Sequence, residues 1–181
     1  MPQDAAEERW QREIAPHLGT AWRLARWLLG SGAEAEDAVQ EACLRAWQAG
    51  RRGVAPEDGR AWLLAIQRNV CWTRLRGAAR QASRLVPFDD ALREMDRAAA
   101  GQDAEAALGA RQRAARLRQA IAALPPPFRE VVVLRDLEGM SHAETAAVLG
   151  LPVGTVMSRL ARARQKLRAA LEGSVDARAG T

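Results

Sequence analysis

One stretch near the middle of the chain, residues 89–108, limits what the chain can fold into. It reads DDALREMDRAAAGQDAEAAL, with six carboxylates against two arginines and few large apolar side chains. A segment of this composition buries too little apolar surface to offset the conformational entropy that ordering costs. All six tryptophans precede it, whereas Leu, Val and Ala dominate after it. We therefore expect an acidic linker at 87–107 between domains at 1–86 and 108–172, each with its own core, and a tail at 173–181.

The first half of the sequence predicts a series of helices separated by glycine- and proline-containing breaks. Periodic apolar residues at 21–29 stop at a Gly-Ser-Gly sequence, and residues 33–47 begin with acids, which the helix dipole favours in a first turn. The apolar face predicted for 33–47 consists of Val39, Cys43 or Leu44, and Trp47. Glycines and a proline then interrupt the pattern at 48–59. A third helix is predicted from about 60 to 84, with no carboxylate and with six arginines: Arg60, Arg68, Arg74, Arg76, Arg80 and Arg84.

The second half predicts a helix-turn-helix. A helix from about 108 to 123 ends at LPPP, because proline lacks an amide donor and restricts the residue before it. The next segment, REVVVLRDL, could form a strand, but its helical surroundings favour a helix over 128–137. Ser141 and Glu144 have the spacing of a capping box, and Gly150 is a typical C-cap. A short helix, a tight turn and a further helix complete the motif.

The last helix has two contrasting faces. It reads PVGTVMSRLARARQKLR and holds five basic residues and no acidic one. At 100° per residue, one stripe is apolar: Val156, Leu160, Ala163, Leu167 and Leu171. The opposite stripe is cationic and hydrogen-bonding: Thr155, Ser158, Arg159, Arg162 and Lys166. A charge run alone is typical of a solvated surface, but the capped helix and turn before this one favour a helix that enters the DNA major groove.

Composition is compatible with a polyanionic partner. The formal net charge is +5, although the arginine bias is also what GC-rich coding produces. Cys43 and Cys71 lack the spacing of a metal site, so we expect core thiols in a reducing compartment. No apolar stretch resembles a signal peptide or a membrane span, which predicts a soluble, cytoplasmic protein. No catalytic constellation, cofactor motif or metal motif is recognisable, and we expect no enzymatic activity.

Two sets of motifs resemble those of a known family. The first is LPPPFREVVVLRDLEGMSHAETAAVLGLPVGTVMSRLARARQKLR, which closely resembles region 4 of bacterial RNA polymerase sigma factors of the extracytoplasmic function group. The second comprises AEDAVQEACLRAW and WLLAIQRNVCWTRLR, which resemble region 2. The resemblance covers most of the chain and leaves no room for a separate region 3. It implies an all-α fold, with a three-helix-type region 2 bundle and a region 4 helix-turn-helix joined by the acidic linker.

The resemblance also implies three functional surfaces and their partners. Asp37, Gln40 and Glu41 match the motif that docks on the clamp coiled coil of core RNA polymerase, whose flap is a second contact of the family. Residues 48–59 and Asn69 match the part that captures a flipped base of the single-stranded minus-ten element, and Arg74, Arg76 and Arg80 would follow the strand's backbone. The upstream, minus-thirty-five element would be read by Arg135, Thr155, Ser158, Arg159 and Arg162, with Lys166 on the same stripe. An anti-sigma factor is a further implied partner.

Some features stay open in the sequence. Met157 stands where many members of the family carry a basic residue, so a phosphate contact there is in doubt. The loop at 48–59 contains no aromatic residue that would indicate which base it captures. The acidic linker could be an ordinary tether. It could also correspond to the segment that, in the family, runs through the polymerase cleft, where its negative charge mimics that of RNA.

Two other classes of protein fit parts of the pattern. An autonomous helix-turn-helix regulator would explain the second half but not the arginine-rich helix of the first half. A helical adaptor protein is the second alternative, and co-purification with core polymerase would distinguish a sigma factor from both. As a sigma factor, the free chain should bind duplex DNA only weakly and with a steep dependence on salt.

Overall fold

The structure is a computed structural model that describes residues 2–81 and 104–179, with side chains described within 6–80 and 109–172. Every regular element in these ranges is helical, as the sequence predicts. Most of the predicted acidic linker lies outside the described residues, as do Arg84 and the side chains of the tail. The last residues of that linker, 104–107, already belong to the next helix, which therefore begins earlier than predicted.

Four α-helices lie within residues 2–81, the described part of the first half. Helix α1 (Pro2–Arg9) continues through a π-helical turn (Trp10–Ile14) and a 3-10 turn (Ala15–His17) into α2 (Leu18–Leu29). Gly30 ends α2 with φ 81°, a left-handed conformation that suits glycine. Helices α3 (Gly32–Arg51) and α4 (Gly59–Gln81) follow, and α2, α3 and α4 pack against one another as a bundle.

The predicted apolar face of α3 is only the flank of the face that packs. The structure fully buries four alanines: Ala35, Ala38, Ala42 and Ala46. Val39, Cys43 and Trp47 are half-buried beside them, and Leu44, the predicted alternative to Cys43, is 57% exposed. Alanine's small side chain lets neighbouring helices approach closely, so a stripe of alanines forms a tight contact that a search for large apolar residues overlooks.

The second half contains four more α-helices. Helix α5 (Ala104–Ala123) ends before the proline run, and α6 (Pro126–Val132) begins with proline in its first turn, where no amide donor is needed. A π-helical turn (Val133–Leu137) extends α6, which confirms helix rather than strand for this segment. Helices α7 (His142–Leu149) and α8 (Val153–Ala179) complete the chain.

The two halves pack against each other, contrary to the prediction of two separate cores. Helix α2 contacts α6, and α4 contacts α7. Buried residues from both halves, such as Leu28 and Leu63 in the first and Leu134 and Met140 in the second, belong to one continuous cluster. Periodicity identifies the apolar face of each helix but not the helix that will cover it, so the sequence could not reveal this contact.

Candidate nucleic-acid interface

Helices α7 and α8 form the predicted helix-turn-helix, and local hydrogen bonds fix the start of α7. The Ser141 hydroxyl accepts a hydrogen bond from the Glu144 amide at 3.1 Å, and the Glu144 carboxylate accepts one from the Ser141 amide at 2.6 Å. This reciprocal pair is the predicted capping box. Hydrogen bonding to the Ser141 side chain and to the Ser141 backbone amide lowers the pKa of the Glu144 carboxyl.

The turn between the two helices is equally well defined. Gly150 has φ 63° and ends α7, which confirms the predicted C-cap. The Leu151 amide donates to the Ala146 carbonyl at 3.1 Å, and the Pro152 carbonyl accepts from the Thr155 amide at 2.9 Å as α8 begins. The turn therefore positions the first residues of α8 directly after α7.

Helix α8 packs through the predicted apolar stripe. Val156, Leu160, Ala163 and Leu167 are buried, and Leu171 is half-buried. Asp136 accepts two hydrogen bonds from the exposed Arg164, at 3.0 and 2.5 Å, which raises the pKa of that arginine and ties α8 to the turn after α6. One face of α8 is thus held by the protein, and the opposite face is left to solvent.

The residues of α8 that are predicted to read the upstream element differ in solvent exposure and in the contacts they already make. Ser158, Arg162 and Lys166 are exposed, whereas Thr155 and Arg159 are half-buried. The Ser158 hydroxyl donates to the Thr155 carbonyl at 3.0 Å, and the Lys166 ammonium lies 5.8 Å from the centre of the Phe128 ring. An Arg159 guanidinium nitrogen lies 3.6 Å from a carboxylate oxygen of Glu130. Arg162 is therefore the arginine of this stripe best placed to contact a base.

Two further positions flank this surface. Arg135 lies in the π-helical turn and is half-buried, and its Nε atom has no hydrogen-bond partner among the described residues. Met157 is 54% exposed on α8 beside the polar stripe. An exposed methionine offers apolar contact rather than charge, so Met157 is suited to a sugar or a thymine methyl and not to a phosphate.

The predicted downstream residues lie on α4. Asn69, Arg76 and Arg80 are exposed, and helical spacing places them on one stripe together with Thr73. Arg74 points elsewhere, since it donates to Glu41 of α3 at 3.1 Å. Three of the four predicted residues thus share a surface, and the fourth links α4 to α3.

The loop predicted at 48–59 is shorter in the structure, because α3 continues to Arg51 and α4 begins at Gly59. The remaining loop, 52–58, has aromatic neighbours that its own sequence lacks. A shallow pocket brings Val54 and Pro56 of the loop together with Trp10, Trp47 and Trp62. Trp10 and Trp47 meet edge to face, with ring centres 5.6 Å apart. The tryptophans come from three different elements, which explains why inspection of the loop alone missed them.

The predicted polymerase-docking residues lie on α3. Asp37 and Gln40 are exposed, whereas Glu41 is half-buried. Glu41 also accepts a hydrogen bond from Arg45 at 2.5 Å, in addition to the one from Arg74. Two arginines therefore already engage the Glu41 carboxylate, which leaves Asp37 as the freer acid of the predicted docking set.

A buried polar cluster between the halves was not foreseen. Glu130 of α6 is fully buried and accepts hydrogen bonds from Arg68 and Trp72 of α4. The available signal was an acid within the apolar run of REVVVLRDL, since carboxylates are almost never fully buried unless they are paired.

Other kinds of site find no support in the part of the chain that the structure describes. There, no cluster of His, Cys, Asp and Glu could hold a metal ion. Burial raises the pKa of the Cys71 thiol to about 11, as is typical of an unreactive core cysteine. None of the helices searched in these ranges combines the length and the hydropathy that crossing a membrane requires.

Two family models match the chain: Sigma-70 region 2 at residues 14–81 and Sigma-70, region 4 at residues 114–167. The ECF RNA polymerase sigma factor SigC of Mycobacterium tuberculosis is 37% identical over 152 residues, which cover 83% of this chain and 77% of the relative. SigE of Mycolicibacterium smegmatis is 34% identical over 165 residues, and that alignment covers 91% of this chain but only 62% of SigE.

Two solved structures have the same fold. One is the sigma factor RpoE of Bartonella quintana in complex with the anti-sigma factor NepR, with a TM-score of 0.68 and 24% identity, covering 90% of this chain and 96% of that chain. The other is CnrH in complex with the cytosolic domain of CnrY, with a TM-score of 0.58 and 30% identity, covering 94% and 90%. With both regions matched in order, the chain belongs to the sigma-70 family, among the ECF RNA polymerase sigma factors.

Proposed function

We propose that this chain is a transcription initiation factor that binds core RNA polymerase and directs it to specific promoters. The observation that carries the proposal is the presence of two cationic surfaces on different halves of one chain. One is the Ser158, Arg162 and Lys166 face of α8, and the other is the Asn69, Arg76 and Arg80 stripe of α4. A regulator that binds duplex DNA by itself needs only the first of these surfaces.

The two surfaces suit different forms of DNA. The outward face of α8 follows a capped helix and a tight turn, which is the arrangement that places a recognition helix in the major groove. Helix α4 presents arginines along a stripe beside the tryptophan pocket at the loop, a combination that suits single-stranded DNA, where a cationic track follows the backbone and aromatic rings stack on bases. Upstream recognition thus belongs to α8 and minus-ten recognition to α4.

The polymerase would dock on the exposed face of α3. Asp37 and Gln40 are solvent-exposed there, with Leu44 on the same helix. An apolar residue with acids beside it fits a partner surface that is partly apolar and partly basic. Catalysis would be the polymerase's alone, and the chain would have no activity of its own.

An anti-sigma factor is a further proposed partner. The sigma factor RpoE was solved in complex with the anti-sigma factor NepR, and CnrH with the cytosolic domain of CnrY. We expect that an anti-sigma factor, the kind of partner seen with RpoE, regulates this chain.

Run-off transcription with core RNA polymerase tests the proposal. The full chain should direct specific initiation from its promoter, and core enzyme alone should not. In a pull-down, charge reversal by Asp37→Arg should weaken capture of core enzyme more than Glu34→Arg, a change of the same size at an exposed position one turn nearer the start of α3. Tight sequence-specific binding to duplex DNA by the isolated chain, without transcription, would favour the autonomous regulator instead.

A further inference from the structure

The first turns of α8 carry exposed apolar side chains beside the polar stripe. Val153 is 43% exposed, and Met157, one turn further, is 54% exposed. Ala161 follows after another turn and is exposed as well. Residues four apart are neighbours on a helix surface, so these three side chains form one continuous row. We call this set of Val153, Met157 and Ala161 the apolar row.

The row is open to an approaching molecule. At 100° per residue, Met157 and Ala161 lie between the buried stripe of α8 and the exposed Ser158. A Cβ at Gly154, in the first turn, would meet no atom within 4 Å. The cation beside the row, Arg164, is already engaged by Asp136 through hydrogen bonds of 3.0 and 2.5 Å. The first turns of a recognition helix are the part that meets base edges, and here that part is apolar along one side.

An apolar row distinguishes base pairs by the groups that it can and cannot accommodate. In the major groove thymine presents its C5 methyl group, whereas guanine presents two acceptors, O6 and N7. A methyl group packs against methionine without losing a hydrogen bond. Guanine acceptors that face the row would lose their water without gaining a donor, which is unfavourable. The row therefore favours thymine and disfavours guanine.

The hydrogen bonding of Ser158 favours the same base pair. Its hydroxyl donates to the Thr155 carbonyl at 3.0 Å, so its proton is already used, but its oxygen can still accept. Adenine N6 and cytosine N4 are the donors of the major groove, and cytosine is paired with guanine, whose acceptors the row disfavours. A thymine–adenine pair therefore offers a methyl group to Met157 and an amino group to Ser158.

The arginines of the cationic stripe lie elsewhere on the helix. Arg162 is five residues after Met157 and about 140° around the helix from it. Arg159 is further round still, with a guanidinium nitrogen 3.6 Å from a carboxylate oxygen of Glu130. A guanine contact by Arg162 therefore falls on a different base pair from the one that faces Met157.

We propose, building on the function proposed above, that the apolar row sets a thymine preference within the upstream element, with Met157 as the residue that reads the methyl group. From Val153 to Ala161 the row spans ~12 Å along α8. At a rise of 3.4 Å per base pair, the thymines fall within a run of about three or four pairs. Three side chains are far too few for a stable protein interface, whereas a base edge needs no more.

Selection from a library of duplexes tests the preference. The full-length wild type, Met157→Arg and Ala169→Arg each select from duplexes randomised over the upstream element, alone at low salt and again with core polymerase. Ala169→Arg is the control, since it adds the same charge at an exposed position ~18 Å further along α8. The wild type and the control should select thymine–adenine pairs. Met157→Arg should select guanine at one of these positions, with the ratio of thymine to guanine falling ~5- to 150-fold, because arginine binds guanine with two hydrogen bonds.

A second arm removes only the methyl group. Deoxyuridine replaces each selected thymine in turn, and the affinity of the full chain for each duplex is measured. The wild type should lose ~4-fold at the pair that faces Met157, the equivalent of about 0.8 kcal/mol for one buried methyl group. Met157→Leu, which stays apolar, should keep this sensitivity, and Met157→Ser, which is too short to reach the methyl group, should lose it.

Three results would each refute the role of the row. They are a guanine preference of the wild type throughout the element, equal affinity for thymine and deoxyuridine at every position, and an unchanged selection by Met157→Arg. Failure of the wild type to direct run-off transcription with core enzyme would instead refute the proposed function. The base preference would still be decided in that case, because selection at low salt does not require polymerase.

Discussion

Arg129 is a buried arginine whose loss should destabilise the fold far more than the loss of an exposed one. It is 9% exposed, and its guanidinium donates to several backbone carbonyls. The acceptors are Trp27 at 3.0 Å, Leu28 at 3.3 Å, Leu124 at 2.9 Å, and Ala122. They lie at or just after the C-terminal ends of α2 and α5, where the last carbonyls lack intrahelical donors and the helix dipole is negative. One cation thus caps two helices from different halves.

The size of the expected loss in unfolding free energy follows from the carbonyl acceptors that Arg129→Met leaves without a donor. A buried acceptor that loses its donor costs about 1–3 kcal/mol, and four carbonyls are affected. Part of this cost is offset, because burial already penalises the guanidinium, as its lowered pKa indicates. We therefore expect a net loss of about 2–4 kcal/mol. For a chain of this size, 1 kcal/mol lowers Tm by about 2–4 °C, so the expected fall in Tm is ~4–16 °C.

Arg164→Met is the matched control, since it removes the same side chain from an exposed ion pair with Asp136. Exposed pairs contribute about 0–1 kcal/mol, so this variant should lose at most ~4 °C. Thermal unfolding of both variants at pH 7, followed by circular dichroism, makes the comparison. Equal shifts in the two variants, or no shift in Arg129→Met, would refute the capping role assigned to Arg129.

Four further changes have defined outcomes. Arg162→Ala should reduce discrimination between cognate and altered upstream elements ~5- to 150-fold in complexes with core enzyme, the equivalent of about 1–3 kcal/mol for a bidentate base contact; Gln165→Ala is the control. Asn69→Ala should leave closed complexes intact but reduce permanganate reactivity of the minus-ten element, and unchanged strand opening would remove Asn69 from that role. Ser141→Ala should cost about 1 kcal/mol at pH 7. The hydroxyl's acceptance of the Glu144 amide does not titrate, so most of this loss should persist at low pH. Hydrogen bonds from Ser141 also lower the pKa of Glu144 from 4.5, and the stabilisation linked to that shift is present above pH 4.5 and is lost as the pH falls through the lowered value. The difference between the two proteins should therefore narrow in acid melts without vanishing. Gly59→Ala should lower Tm, since a Cβ there would lie 2.2 Å from the Glu13 carbonyl oxygen, whereas Gly77→Ala, with no atom within 4 Å, should raise it slightly.

Features set by local chemistry were predictable from the sequence. The capping box of Ser141 and Glu144 and the left-handed Gly150 depend on residues within a few positions of one another, and both predictions are confirmed. The same holds for the apolar stripe of α8, because a helix of fixed period presents the same face whatever lies opposite. The family resemblance rests on these same segments.

Features set by contacts between distant elements were not predictable. The alanine face of α3 escaped notice because burial there depends on how closely α2 and α4 approach, which no local pattern specifies. Glu130 was an isolated acid in the sequence, and its partners Arg68 and Trp72 lie about sixty positions earlier. The assignment of individual DNA-contacting and polymerase-contacting residues remains a prediction.

The fold adds a reason to expect that the free chain binds duplex DNA only weakly. Much of the positive charge is already engaged: Arg23, Arg68 and Arg74 are paired with carboxylates. Arg76 and Arg80 remain exposed on α4, and Arg162 remains exposed on α8. Each set alone offers only a few contacts, and affinity for DNA depends on the number of phosphates neutralised together. A net charge of +5 therefore overstates the expected affinity of the free chain, since several of the arginines that suggest a DNA-binding protein already have carboxylate partners within the chain.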